Sequence, residues 1–284
     1  MKYIMDAILM SIQPKWVKEI LNGNKTEEIR KTRPNQDTPF TVYIYCTKPK
    51  RIYRSVRNKY AWDFGEGVCF DYSSEERKIC SYPGRKRGSI GKEETVFADK
   101  KDLCMSVVGQ FACNHINHYR AEFVDDDCYE DIRLIQWNED DQEEEEFIIT
   151  SNEKGDPSAC ALCENSCLSY NQIKDYIFNG QSGFFDFYGW EISDLVIYDE
   201  PRPLGIYLKK CTDKYNYCQC CDHGYIKYPE WAETSDDCMF FEEICNNFFK
   251  HPPQSWYYCQ NRDYNALFKT YQKEKRLEDY FNKR

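Results

Sequence analysis

Apolar residues come in short runs along this chain, separated by long polar stretches, and the runs carry two periods. Ala7-Ile8-Leu9-Met10-Ser11-Ile12 is nearly continuous and predicts a short, mostly buried strand. Pro14 suits the first turn of a helix, where its missing N–H costs nothing. Trp16, Val17, Ile20 and Leu21 then fall at helical spacing, and Asn22-Gly23 ends the helix. Lys25 to Arg30 reads as a second strand, broken by Arg33-Pro34-Asn35. Phe40 to Tyr45 and Met105 to Ala112 are β-rich, and Gly109 inside the latter predicts a bulge or a close backbone approach. Leu168 to Phe178 has a helical apolar side (Leu168, Ile173, Tyr176, Ile177) with Ser169 as its cap. Phe184 to Tyr198 predicts a strand ended by Asp199-Glu200-Pro201, and Ser255 to Cys259 a short one. Residues 263–282 predict a polar helix with Leu267, Tyr271, Leu277 and Phe281 as a sparse stripe.

Between these elements lie three irregular stretches, read as insertions at about 51–103, 122–165 and 209–250. The first is hairpin-like, with several glycine and proline breakers and a basic knot, Arg85-Lys86-Arg87, which reads as a surface loop or a phosphate contact. Strand, helix, strand and further strands predict an α+β fold: one domain over 1–284, a compact mixed β-barrel flanked by helices. A doubly wound nucleotide fold is excluded, since no strand leads into Gly-x-Gly-x-x-Gly and no phosphate-loop lysine motif is present.

Charge divides the chain. Residues 1–59 carry 13 Lys and Arg against 5 Asp and Glu, while the remainder carries 25 against 43, within a net charge of −10. The basic part suits an anionic partner, nucleic acid being one, but the acidic remainder argues against broad duplex binding through many phosphates. Residues 139–146 are an acidic block that reads as a solvated or disordered loop. No long apolar run precedes Gln13, and no stretch reaches the ~18–20 apolar residues that cross a membrane. The expectation is a soluble cytoplasmic protein whose 16 cysteines are thiols or metal ligands.

Lys25, Glu28 and Arg30 are the densest chemistry. On a strand Glu28 and Arg30 share a face, with Lys25 just before them. A solvated charged edge fits the same pattern. In the last insertion Cys218-x-x-Cys221, with Cys238 further on, has zinc-knuckle spacing, and Cys211, Cys245 or His223 can complete four ligands. A metal would explain how so polar a stretch folds; a loop with free thiols is the alternative. Cys160-x-x-Cys163-x-x-x-Cys167 is a weaker set, and Cys46, Cys69, Cys80, Cys104, Cys113, Cys128 and Cys259 read as small hydrophobes. The four histidines, His115, His118, His223 and His251, show no catalytic spacing.

Ser11-Ile12-Gln13-Pro14-Lys15-Trp16, followed by Gly23-x-Lys25-x-x-Glu28-x-Arg30-Lys31, resembles the ASCH family, a branch of the PUA-like fold. Three later pieces add to the resemblance: Val107-Val108-Gly109-Gln110-Phe111, Gly189-Trp190-Glu191-Ile192-Ser193-Asp194-Leu195, and Pro252-Pro253-Gln254-Ser255-Trp256. Their order is similar to that in members from bacteria and their phages. The resemblance implies a small β-barrel with a cleft beside the first helix, lined by Ser11, Lys15, Lys25, Glu28, Arg30, Trp190 and Glu191, taking RNA, a nucleotide or a modified nucleoside. Lys25 and Arg30 suit a phosphate or a base edge, and Glu28 can accept from a base amino group. Trp190 suits either base stacking or core packing.

One branch of that superfamily hydrolyses acetylated cytidine with a lysine, a threonine nucleophile and a glutamate. Lys25 matches the lysine, but the nucleophile's place holds Glu28, and a carboxylate does not replace that hydroxyl. Thr26 faces away from Lys25 on a strand. Glu191 stands where a histidine is expected in close relatives. Three classes of function stay open: an RNA- or nucleotide-binding module, a hydrolase in the same cleft (amidohydrolase or ribonuclease, with Lys25 and Glu28 as candidate acid and base), and a protein-interaction factor using residues 139–146.

Overall fold

The computed structural model describes residues 7–49, 51–56, 59–64, 66–73, 77–82, 100–126, 129–138, 143–150, 161–207, 209, 249–259, 265, 268–269 and 272–273. In chain order the first elements are β1 (Ala7–Ile12), α1 (Pro14–Leu21), β2 (Glu27–Arg30), β3 (Phe40–Cys46), β4 (Arg51–Val56), β5 (Lys59–Phe64), β6 (Gly67–Asp71), β7 (Lys78–Tyr82) and β8 (Lys100–Asp102). Then come β9 (Ser106–Cys113), β10 (Ile116–Asp126), β11 (Tyr129–Asn138), β12 (Glu143–Thr150), α2 (Ala161–Ser166), α3 (Tyr170–Phe178), β13 (Phe184–Glu191), β14 (Ser193–Arg202) and β15 (Trp256–Cys259).

The fold is mixed α+β and dominated by strands. The first five-stranded sheet runs β14-β9-β3-β1-β15, with β1 and β3 parallel and the other neighbours antiparallel. The second runs β12-β11-β10-β13-β2 and is antiparallel throughout. The described residues of 51–102 form a hairpin, β4-β5, and a small sheet, β7-β6-β8. A closed barrel is not found among the described residues. The chain instead crosses between the two large sheets at short corners: β9 to β10 through Asn114-His115, and β13 to β14 through Ile192, with Asp194 at φ 47° just beyond. The stretch read as one strand, Phe184 to Tyr198, is therefore two strands in different sheets.

Burial follows from these faces. Ile8, Met10, Ile12, Val42, Ile44, Phe111 and Trp190 meet the Val17, Ile20 and Leu21 side of α1 in the central core. The other face of the second sheet buries Ile29, Tyr119, Ala121, Ile132, Leu134 and Phe187 against α2 and α3. A third cluster covers the far face of the first sheet with Tyr207 and Phe249. Gly109 does sit at a close approach: a Cβ there would lie 2.6 Å from the Val196 carbonyl oxygen, beside the bulges of β14.

The acidic stretch departs from expectation. The described residues of 122–150 are regular strand: β10 and β11 pair from His118 with Trp137 to Asp126 with Tyr129, and β12 continues the same sheet. Half of the 139–146 block, Glu143 to Glu146, is edge strand. Edge charge of this kind blocks pairing with other chains, and Arg133 reaches Glu146 at 2.7 Å and Glu122 at 3.6 Å. Residues 139–142, Arg85-Lys86-Arg87, Cys128, Cys160, Cys211, Cys218, Cys221, His223, Cys238, Cys245 and most of 263–282 lie outside the described residues; Asn265, Phe268, Lys269, Gln272 and Lys273 are helical. No described helix is long and apolar enough to cross a membrane.

Candidate functional site

The turn after α1 brings the charged side chains together. Gly23 takes φ 76°, a conformation that suits glycine just past a helix end. Its N–H and those of Asn24 and Lys25 return to the carbonyls of Ile20 and Glu19. This closes the helix and directs the chain into β2, an edge strand held to β13. Glu28 and Arg30 pair with Trp190 and Tyr188 and face α1; Glu27 and Ile29 pair with Glu191 and Gly189 on the opposite face.

On the first face the ionic groups form a continuous chain. Lys25 Nζ donates to the Ser166 carbonyl at 2.6 Å and lies 3.3 Å from Glu28 Oε2. Arg30 Nη2 lies 3.0 Å from Glu28 Oε1 and donates to the Ser11 carbonyl at 2.9 Å. The side chains of Lys25, Glu28 and Arg30 are 1%, 7% and 11% exposed, so the pairing is not an ordinary surface contact. Two cations against one carboxylate leave an excess positive charge. Ser11 Oγ and Arg30 Nε are buried without a hydrogen-bond partner. Trp16 lies below Lys25, 5.4 Å from Nζ, and exposed Lys15 lies 4.2 Å over the same ring. Tyr176 lies near Arg30 and Glu28, and Lys31 lies 5.5 Å over its ring.

The second face holds a different carboxylate. Glu27 Oε1 accepts from Asn117 Nδ2 at 2.7 Å and Tyr119 Oη at 3.0 Å, while Oε2 is buried with no partner. Burial raises its pKa, against the lowering pull of those donors and of Lys25. Its carboxylate lies over Gly189, where a Cβ would be only 1.7 Å from Oε1.

The residues singled out from sequence separate accordingly. Ser11, Lys25, Glu28 and Arg30 converge, and Lys15 reaches them only through Trp16. Trp190 is fully buried, edge-on to Phe40 at 5.6 Å and tilted against Trp256 at 5.7 Å, which is the core-packing alternative. Glu191 is half-buried beyond the triad and accepts from Ser193 Oγ at 2.9 Å. Thr26 is exposed while Lys25 is buried. Sequence reasoning missed Ser166, Tyr176 and Glu27; for Glu27 the available signal was a glycine facing it in a strand otherwise rich in aromatics. Among the described residues no group of three or more His, Cys, Asp or Glu is placed to hold a metal. Cys163, on α2, is buried in the core between that helix and the second sheet, and Cys167 donates to the Asn24 carbonyl at 3.3 Å.

Comparison with family models, with curated proteins and with solved structures finds no match to this chain.

Proposed function

We propose that this chain is an ASCH-type, PUA-like domain that binds RNA, a nucleotide or a modified nucleoside beside α1, through Lys25, Glu28, Arg30 and Ser11. The observation that carries the reading is the buried Lys25–Glu28–Arg30 chain with its surplus positive charge and the two unpartnered donors beside it. A phosphate oxygen or a base carbonyl supplies what that arrangement lacks: negative charge, and acceptors for Arg30 Nε and Ser11 Oγ. Trp16 and Tyr176, each already carrying a lysine, offer aromatic surface at the rim for a base. A binding role is favoured over hydrolysis because Glu28 is ion-paired to both cations, with Oε2 making no hydrogen bond, and no hydroxyl stands in its place.

The test is fluorescence anisotropy with a labelled single-stranded RNA, with unlabelled nucleotides and acetylated cytidine as competitors, all at one salt concentration. Arg30→Ala is expected to weaken binding about tenfold or more, in the range of a lost charge-assisted contact. Unchanged affinity in the Lys25→Ala, Arg30→Ala double variant would move the ligand elsewhere on the chain. Product from acetylated cytidine or cleaved RNA that disappears in Lys25→Ala would replace the binding reading by the hydrolase. Outside the described residues, we also propose a structural zinc on Cys211, Cys218, Cys221 and Cys238; metal analysis should give one zinc per chain, and none would discard it.

A further inference from the structure

The face of the second sheet that carries Arg30 continues outward as a row of aromatic rings. Residues directly opposite one another run Arg30, Tyr188, His118 and Trp137 across β2, β13, β10 and β11. With strands roughly 4.8 Å apart, the row reaches about 14 Å from the Arg30 position. The His118 ring stacks on Tyr188, with centroids 5.0 Å apart and an interplanar angle of 19°. Its other neighbour is Trp137, at 6.5 Å and 22°. Asp186 Oδ1 fixes the orientation of His118, 3.3 Å from Nε2, and accepts from Arg120 Nε at 3.0 Å.

Tyr188 is covered differently on the two faces of its ring. His118 occupies one, so Arg33 lies over the other, its guanidinium carbon 5.8 Å from the ring centroid. Tyr188 is held from behind by His118 and by packing against the central core. Arg33, by contrast, is exposed on the loop that follows β2. Planar groups in contact sit roughly 3.5 Å apart, so a base between the ring and the guanidinium needs about 7 Å. Arg33 has to withdraw by only about 1 Å to admit one, and no strand moves with it. The surroundings are electropositive: Lys31 and Arg33 are exposed beside the surplus charge of Lys25 and Arg30. Single-stranded nucleic acid answers both features, with a negative backbone and a ring face on every base.

We propose that Tyr188 and Arg33 form a second base subsite, so that the ligand beside α1 is single-stranded RNA held over two consecutive nucleotides. The inference rests on the reading of Arg30 given above. One nucleotide engages Arg30 and Ser11. The base of the next slides between the Tyr188 ring and the Arg33 guanidinium, which stacks on its far side. His118 and Trp137 back the Tyr188 ring from within the sheet, so the platform is formed before the ligand arrives and little ordering is left to binding. A sandwich of this kind tolerates any base, because it contacts the ring face and not the hydrogen-bonding edge.

The test uses the full chain and measures, by anisotropy competition at one salt concentration, the affinity for an RNA dinucleotide and for its component mononucleotides. The dinucleotide is expected to bind about tenfold more tightly than either mononucleotide. Replacing either residue by an abasic one, which keeps the phosphate, should remove that advantage. Arg33→Ala should remove it too, and Arg33→Lys, which keeps the charge but not the plane, should not restore it. Tyr188→Leu should act like Arg33→Ala. If Tyr188→Leu fails to fold, the abasic ligands and the variants of exposed Arg33 decide. The proposal is overturned if the dinucleotide binds no more tightly than a mononucleotide, if the abasic forms bind as well as the complete dinucleotide, or if Arg33→Lys binds like wild type. In each of these cases, mononucleotide binding that is weakened by Arg30→Ala leaves the Arg30 reading intact. Mononucleotide affinity unmoved by Arg30→Ala is the separate failure of that reading, and takes the second subsite with it.

Discussion

Glu27 and Glu28 are neighbours on one strand and about equally buried, at 4% and 5% exposure, yet they sit in opposite electrostatic settings. Glu28 looks toward α1 and meets two cations, each tied in turn to a main-chain carbonyl. Glu27 looks toward the helices on the other side of the sheet and meets only neutral donors directly, with one oxygen unpartnered. The strand's two-residue period makes the difference, since a shift by one position exchanges the two environments. Burial alone therefore does not define a buried carboxylate. Two cations engage the one, while burial favours the proton on the other.

The largest effect is expected from breaking the charged side. Glu28→Gln leaves Lys25 and Arg30 buried with no counter-charge, and removal of one partner from such a pair costs roughly 3–5 kcal/mol. Urea unfolding should show a lower midpoint at an unchanged slope. A midpoint equal to wild type would mean that the cations do not depend on Glu28, and the contrast between the two faces would fail.

A smaller effect tests how closely Glu27 is held. Gly189→Ala places a methyl group where the Glu27 carboxylate now lies, 1.7 Å from Oε1. Crowding of this kind costs roughly 1–3 kcal/mol. Glu27→Ala vacates that space, so in its background Gly189→Ala should cost less than about 1 kcal/mol. Equal costs in the two backgrounds would show that Gly189 is needed for some other reason.

How much of this was legible depends on how local the cause is. β1, α1 and β2 follow from a continuous apolar run, Pro14 at the helix start and Gly23 at its end, all within neighbouring residues. The cap of α3 was equally local: Ser169 accepts from Gln172 N, and the Gln172 side chain returns the bond. The strands β11 and β12 were hidden because the acidic run outweighed the alternation of Ile132 and Leu134, both of which are buried. The break at Ile192 was hidden because β-rich residues continue on both sides of it while the chain changes sheets. At the charged site, Lys25, Glu28 and Arg30 could be grouped from spacing, but their anchors could not. Ser166 lies 141 residues from Lys25, and no pattern in either segment announces the bond.

The finest test of the two faces is their response to pH. Burial raises the pKa of Glu27 above the ordinary 4.5, so in the folded chain it holds its proton over a range where the unfolded chain has lost it. Across that range the folded state binds more protons, and stability falls as pH rises. The penalty is absent well below 4.5, grows through the interval up to the folded pKa, and is constant above it. Glu27→Gln keeps the shape and an acceptor for Asn117 and Tyr119 but cannot ionise. Its stability relative to wild type should therefore increase with pH through that interval and then level off, when midpoints are measured at matched ionic strength. A difference that stays flat from pH 4 to 8 would show that Glu27 is ionised on both sides of the folding equilibrium, and that neutral donors hold a buried carboxylate here as well as cations hold Glu28.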